Sequence, residues 1–313
     1  MAVKVLAACG LDAMIGDPRW FPHPVRFMGM FTQWYEDVAL QWIQGRIGRY
    51  VSGIILALGF PAFCYLSAEW VIQMLAEWHE WAGHAMWIFL GSTTLAARDL
   101  ADHAHNVSRA LQSGSLTEAR EAVGAIVGRD TENLSESEIV RATIETVAES
   151  TSDGVVAPLF YLVIGGPPLA LAYKAVNTLD SMIGHRTETY QYFGWASARC
   201  DDLWNWLPAR LSGLCLVMSA ALLRGTGMRA WNTLIRDGAK HASPNSGRPE
   251  AAMAGALQVQ LGGVNYYDGH AVQGHLIGDE IYSCAHAHIS LAIQLMIVAS
   301  ILAMILLTGL LLL

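Results

Sequence analysis

The segment ETVAESTSDG carries Glu145, Glu149 and Asp153 at intervals of four. On an α-helix that spacing puts three carboxylates on one face. Like charges so placed repel by roughly 0.2–0.5 kcal/mol per pair unless a cation lies between them. Mg²⁺ is a hard cation that takes such oxygen ligands and shares them with phosphates. The same spacing also serves a solvated helix face, and spacing alone leaves both readings open.

Other unusual residues crowd together in five more places. GDPRWFPHPVR (16–26) sets three prolines around Asp17, His23 and Arg26, which predicts a stiff, mostly non-helical backbone. YKAVNTLDSMIG (173–184) spaces Lys174, Asn177 and Asp180 by three, again one helical face. ARCDDLWNWLPAR (198–210) adds Arg199, Asp201, Asp202 and Asn205. RDGAKHASPNSGRPEA (236–251) gathers Lys240, His241, Asn245 and Glu250 around two prolines and two glycines. It reads either as a surface loop or as a conformationally fixed ligand clamp. GRDTENL (128–134) supplies Arg129 and Asp130.

Several familiar chemistries are missing from the sequence. It contains no G-x-x-x-x-G-K-[ST], so a nucleotide would not sit on a Walker loop. It has no G-x-S-x-G, the usual hydrolase elbow. Its five cysteines form no CxxC pair, which speaks against a zinc site or a disulfide framework. Cys284, His286 and His288 alternate, and alternate residues do not share a helix face. Asp102, His103 and His105 read as polar positions of an amphipathic helix.

The elements that position these residues are apolar. Of 313 residues, 53% are hydrophobic and 15% charged, against roughly 25% charged in a soluble domain. Mean hydropathy is +0.34. That composition excludes a disordered chain, and a net charge of −8 without a basic run excludes nucleic acid as the partner. Residues 281–313 hold no Asp, Glu, Lys or Arg. Crossing a bilayer core takes about 20 apolar residues, so a span is expected there. Stretches 50–68, 81–97 and 154–173 are also uncharged, the last broken by Gly165-Gly166-Pro167-Pro168, while 211–223 is short unless extended from residue 204. Residues 3–15 read as a short hydrophobic helix. Leu6-Ala7-Ala8-Cys9 resembles a lipoprotein box, but too few residues precede it for a signal peptide.

Between the apolar stretches, 98–153 reads as soluble helices, with Ser115…Glu118 and Ser135…Glu138 fitting the capping box. No strand alternation stands out. The expectation is an all-α, polytopic integral membrane protein, one domain over 1–313, with four to six hydrophobic segments and a helical cytoplasmic insertion at 98–153. The turn bearing Glu69, Glu77 and Glu80 has no basic residue, whereas its flanks carry Arg19, Arg26, Arg46 and Arg49, and Arg98, Arg109, Arg120, Arg129 and Arg141. The positive-inside rule puts both flanks in the cytoplasm.

Taken in order, GDPRWFPHPVR, GRDTENL, ETVAESTSDGVVAPLFY, YKAVNTLDSMIG, ARCDDLWNWLPARL, SPNSGRPEAAMAGAL and LGGVNYYDG resemble the cobinamide synthase family over about residues 5–280. That family is the membrane-bound adenosylcobinamide-phosphate synthase of cobalamin (vitamin B12) biosynthesis. The chain departs from the pattern at Ser150, Ala242 and Val264, where Asn, Pro and Pro are expected.

The resemblance implies a ligase. It joins (R)-1-aminopropan-2-ol (aminopropanol) or its O-phosphate (aminopropanol phosphate) to the propionate carboxylate of adenosylcobyric acid, using ATP and Mg²⁺. A carboxylate is a poor electrophile, and phosphorylation to an acyl phosphate lets an amine attack it. Under this reading Asp130, Glu145, Glu149, Asp153, Asp201 and Asp202 are the candidate Mg²⁺ ligands. Arg129, Lys174, Arg199 and Lys240 would stabilise phosphoryl oxygens, and His241 would be the base. Catalytic roles fall to Glu145, Glu149, Asp153, Lys174 and His241. Substrate or phosphate binding falls to Asp17, His23, Arg26, Arg129, Asn177, Asp180, Arg199, Lys240, Asn245 and Glu250.

The implied setting is the inner cell membrane, with the active site facing the cytoplasm and other corrinoid-assembly membrane enzymes as candidate partners. If 154–173 and the segment ending at residue 223 each crossed once, the motifs of 174–210 would face away from ATP. A re-entrant or broken hairpin at Gly165–Pro168 resolves this, as does a cavity at membrane depth lined by 173–210. The alternatives are a transporter, a Mg²⁺-dependent membrane alcohol phosphotransferase, or a scaffold for corrinoid enzymes.

Overall fold

The computed structural model describes residues 1–17, 23–185, 187, 189–267 and 269–311. Residues 18–22 of the proline-rich string and Asp268 of LGGVNYYDG therefore lie outside the description. The chain divides into two compact units. The first comprises Met1–Ala96, Ala157–Asn205 and Leu307–Leu313, and the second Ala97–Val156 and Trp206–Leu306. The expected insertion at 98–153 falls within the second.

Helix α1 (Ala2–Ile15) is the expected short hydrophobic helix and buries Val5, Ala8 and Asp12. Helix α2 (Pro24–Trp42) begins inside the proline-rich string. Its first residue is Pro24, whose fixed φ and missing N–H suit N1, so the string is helical from Pro24 onward rather than mostly non-helical. Helix α3 (Arg46–Trp78) is followed by α4 (Glu80–Ser92), where His79 Nδ1 accepts the Trp81 N–H at 3.2 Å. At 13 residues α4 is too short to cross a bilayer, which corrects the expectation for 81–97.

Helices α5 (Ala97–Gln112), α6 (Leu116–Gly124) and α7 (Glu136–Ser150) follow. Both halves of the capping box are present at Ser135 and Glu138, whereas at Ser115 only the serine half forms. A π-helical turn, Thr151–Val156, then leads into α8 (Ala157–Ile183). Inside α8 the helix breaks at Gly165 (φ −135°) and Gly166 (φ 69°), and Pro167-Pro168 restart it. Short helix α9 (Tyr190–Phe193) precedes α10 (Trp195–Trp204) and α11 (Trp206–Arg224). In the first unit Met28, Leu56, Phe60, Leu171, Leu179 and Phe193 form one core. A Cβ on Gly53 would stand 1.9 Å from the Phe193 carbonyl oxygen, so glycine alone lets α3 approach that closely.

In the second unit, α12 (Gly227–Asp237) and α13 (Gly247–Leu257) pack together. Helix α13 is small-residue rich and buried from Ala251 through Leu257, as a helix enclosed on all sides should be. A two-stranded antiparallel sheet follows: β1 (Leu261–Tyr267) pairs with β2 (His270–Ile277) from Leu261↔Ile277 to Tyr267↔His270. This hairpin corrects the strand-free expectation. Most of its residues face away from any core, so they carry no apolar alternation, and its sequence signal was the Asp268-Gly269 pair between the strands. The chain ends with α14 (Ala287–Leu310).

Four helical stretches are long and apolar enough to span a membrane: Arg46–Trp78, Glu136–Ile183, Trp206–Arg224 and Ala287–Leu310. The protein is an all-α, multi-pass membrane protein with one small hairpin.

Candidate active site

The second unit brings most of the acidic candidates to one place. Arg129 extends from the 125–135 loop and meets Glu145 of α7, Nη1 to Oε2, at 2.8 Å. Both side chains are largely shielded from solvent, 7% and 13% exposed. Glu145 Oε1 accepts the Gly262 N–H of β1 at 2.8 Å, with Arg141 Nε 3.9 Å away. Gly262 has φ 80°, and a Cβ there would lie 2.0 Å from the His275 carbonyl oxygen. Glycine is therefore required where the strand presents its N–H to the carboxylate. Asn265 Oδ1 accepts from both Arg129 and Arg141, and Arg141 also donates to the Gly262 and Val264 carbonyls. Asp130 fastens the far end of the hairpin: its N–H donates to the Tyr266 carbonyl (2.9 Å) and its Oδ2 accepts the Gly269 N–H (2.8 Å).

One turn along α7, Glu149 Oε1 accepts the Ser246 hydroxyl at 2.7 Å. Ser246 precedes α13, and Glu250 sits on that helix one turn later, only 5% exposed. Burial pushes the Glu250 carboxyl well above the ordinary range; the Glu149 and Glu145 carboxylates push the same way and Arg129 opposes them. Arg129 keeps two N–H groups, Nε and Nη2, that are buried without a hydrogen-bond partner among the described residues. A developing negative charge could be stabilised there without reorganising the site.

Asp153 lies in the π-helical turn that follows, where i→i+5 hydrogen bonding replaces the α-helical pattern.

The 238–246 loop is anchored by Asp237, a residue that no sequence motif singles out. Asp237 is buried and accepts from Arg236, from Lys240 Nζ (2.7 Å) and from the Gly278 N–H (2.8 Å). Burial works against its ionisation, but these donors hold its carboxyl well below the ordinary range. Lys240 is thus engaged with Asp237. His241 Nδ1 accepts the Ser243 N–H (3.0 Å), and Asn245 is buried beside Ser246.

The remaining candidates lie in the first unit. Asp201 is buried and accepts the side-chain amides of Asn205 (2.9 Å) and Asn177 (3.4 Å), while Tyr173 donates to Asn205 Oδ1 (2.8 Å). Burial raises the Asp201 carboxyl and the Asp180 carboxylate raises it further, against the two amides. Asp202 pairs with Arg199 at 2.8 Å. Lys174 is half-buried on α8. Asp17 meets His23 at 3.0 Å, and its backbone carbonyl accepts from Arg26 at 3.4 Å.

The carboxylates expected to hold Mg²⁺ are therefore divided between the units. Asp130, Glu145, Asp201 and Asp202 already engage protein donors, and no group of three His, Cys, Asp or Glu among the described residues is placed to hold a metal ion. These residues do not fit a protein-held cation. Mg²⁺ keeps several waters and is commonly carried by substrate phosphates rather than by a protein cage.

The sequence is similar to known proteins along nearly its whole length. A family profile described as CobD/Cbib protein matches residues 5–296. The chain belongs to the CobD/Cbib family. Its curated relatives include a cobalamin biosynthesis protein CobD of Geobacter metallireducens, 50% identical over 88% of this chain and 86% of that one. A CobD of Klebsiella pneumoniae is 45% identical over 96% and 94%, and a cobalamin biosynthesis protein CbiB of Salmonella typhimurium 44% identical over 97% of each. No solved structure matches. Within this CobD/Cbib chain, sequence reasoning singled out Arg129, Asp130, Glu145, Glu149 and Glu250 but missed Arg141, Asn265, Ser246 and Asp237. LGGVNYYDG carries the family resemblance without assigning a chemical role to Asn265.

Proposed function

We propose that this CobD/Cbib protein is an enzyme of cobalamin biosynthesis. It forms an amide between the propionate carboxylate of adenosylcobyric acid and aminopropanol or its O-phosphate. ATP first phosphorylates the propionate, and the amine then displaces phosphate from the acyl phosphate. The active site faces the cytoplasmic side of the inner membrane, where ATP is present, and other corrinoid-assembly enzymes of that membrane are its candidate neighbours.

The observation that carries this reading is the Arg129–Glu145 pair with its two idle guanidinium N–H groups. Glu145 and Asn265 hold the guanidinium through Nη1. Arg129 Nε and Nη2 are then left to receive oxygens of the transferring phosphoryl group, where charge-assisted hydrogen bonds are strong. Arg141 holds Glu145 and Asn265 in place from the other side. Mg²⁺ on the nucleotide would neutralise phosphate charge.

The acyl phosphate makes a distinct isotopic prediction. With ¹⁸O in the propionate carboxylate, one labelled oxygen should appear in inorganic phosphate at each turnover. Label in AMP would mean adenylation instead, and label in neither would rule out an activated carboxylate.

A further inference from the structure

Glu250 is a buried acid that none of the contacts above explains. It is 5% exposed, and its carboxyl makes no hydrogen bond or ion pair among the described residues. An ionised carboxylate in that position is costly unless something pairs with it. The surroundings show what could pair. Glu149 and Glu145 act on it from α7, which makes the site attractive to a cation, and Glu149 is fixed by the Ser246 hydroxyl at 2.7 Å. Arg129 also acts on it, with a side chain 7% exposed and two N–H groups left without a partner. One buried site thus combines an unpaired acid with unpaired cationic donors. These are the complements of a protonated amine and of an acyl phosphate.

We propose that Glu250 receives the ammonium group of the amino alcohol and takes the proton that it sheds before attacking the acyl phosphate. The assignment rests on the amide-forming reading above. The competing bases are engaged elsewhere: Glu145 by Arg129 and the Gly262 N–H, Glu149 by Ser246, and His241 Nδ1 by the Ser243 N–H.

The step balances. The ammonium R–NH₃⁺ gives one proton to the Glu250 carboxylate, leaving R–NH₂ and a neutral Glu250. The nitrogen lone pair forms the C–N bond, and the acyl C–O bond to phosphate breaks with its electron pair on oxygen. The second N–H proton leaves with the phosphate as HPO₄²⁻. Burial favours the neutral acid, so excluding water as the corrinoid binds drives the transfer towards free amine.

Hydroxylamine supplies the test, because it is a neutral amine at pH 7, needs no base, and converts an acyl phosphate into a hydroxamate. Glu250→Gln keeps the size of the side chain and removes the carboxylate that would take the proton. With aminopropanol or its phosphate, the variant should lose roughly 10²- to 10⁴-fold in rate. With hydroxylamine and ATP, it should form corrinoid hydroxamate at close to the wild-type rate. Equal loss with both amines, or no loss with either, would overturn the assignment. If wild-type protein forms no hydroxamate, the acyl-phosphate reading itself fails and takes the assignment with it. Should Glu250→Gln not fold, Glu250→Asp gives the same contrast: it retains a carboxylate and should keep part of the aminopropanol rate, and complete loss confined to hydroxylamine would contradict the role.

Discussion

The Arg129–Glu145 pair is largely shielded from solvent, and that determines what its loss should cost. Removing one member of a buried pair leaves an uncompensated charge, worth about 3–5 kcal/mol. Arg129→Met should therefore lower the thermal midpoint of the detergent-purified protein by several degrees. Arg129→Met with Glu145→Leu should recover much of that loss without restoring activity. A fully stable single variant would show that Glu145 is solvated rather than paired. Asp237 makes a prediction about pH. Its folded carboxyl is held below the ordinary value near 4, so its contribution is fully present above that value and fades as pH falls further. Between pH 6 and pH 3, wild type should lose more thermal stability than Asp237→Asn, and parallel curves would contradict the linkage. Spacing revealed Glu145 and Glu149 because clustered carboxylates are conspicuous, and Glu250 stood out in the proline- and glycine-flanked string 236–251. Arg141 and Asn265 stayed hidden because their partner strand lies more than 120 positions away in sequence, and no local pattern records such a distance.

Helix ends and breaks follow from local chemistry, and the sequence shows them where that chemistry is local. The capping box at Ser135 and the break at Gly165-Gly166 were both legible. Gly166 combines φ 69° with Trp87 Nε1 3.1 Å from where a Cβ would stand. Gly166→Ala should therefore destabilise the protein by about 1–3 kcal/mol, read as a lower thermal midpoint, while Gly59→Ala, with nothing within 4 Å, should not. If both variants melt alike, the break is not the constraint that the geometry indicates. The π-turn at Thr151–Val156 was not legible, because its residues could continue an α-helix by propensity alone. What it changes is the hydrogen-bonding pattern of the turn that holds Asp153. The hairpin escaped for a related reason: glycines and exposed side chains erase the alternation by which strands are recognised.

At the scale of the molecule, the apolar stretches made the membrane fold evident. Three of the four candidate spans lie where uncharged runs of adequate length stand, and α11 reaches span length by starting at Trp206, as its flanking residues allowed. The stretch at 81–97 misled because absence of charge does not reveal that a helix stops at 13 residues. Orientation has its own test. Ser181 is exposed, whereas Ser197 is buried, so a cysteine at 181 in an otherwise cysteine-free chain is the informative probe. It should label from the cytoplasmic side, and labelling only from the periplasmic side would refute the broken hairpin. The most direct test of the whole account is the mass of the product. Detergent-purified protein would be incubated with adenosylcobyric acid, Mg²⁺ and ATP, with aminopropanol phosphate or with free aminopropanol, and the corrinoid then weighed. The account predicts a mass gain equal to the amine minus water, absent without ATP. No gain with either amine, in protein shown to be folded, would contradict it.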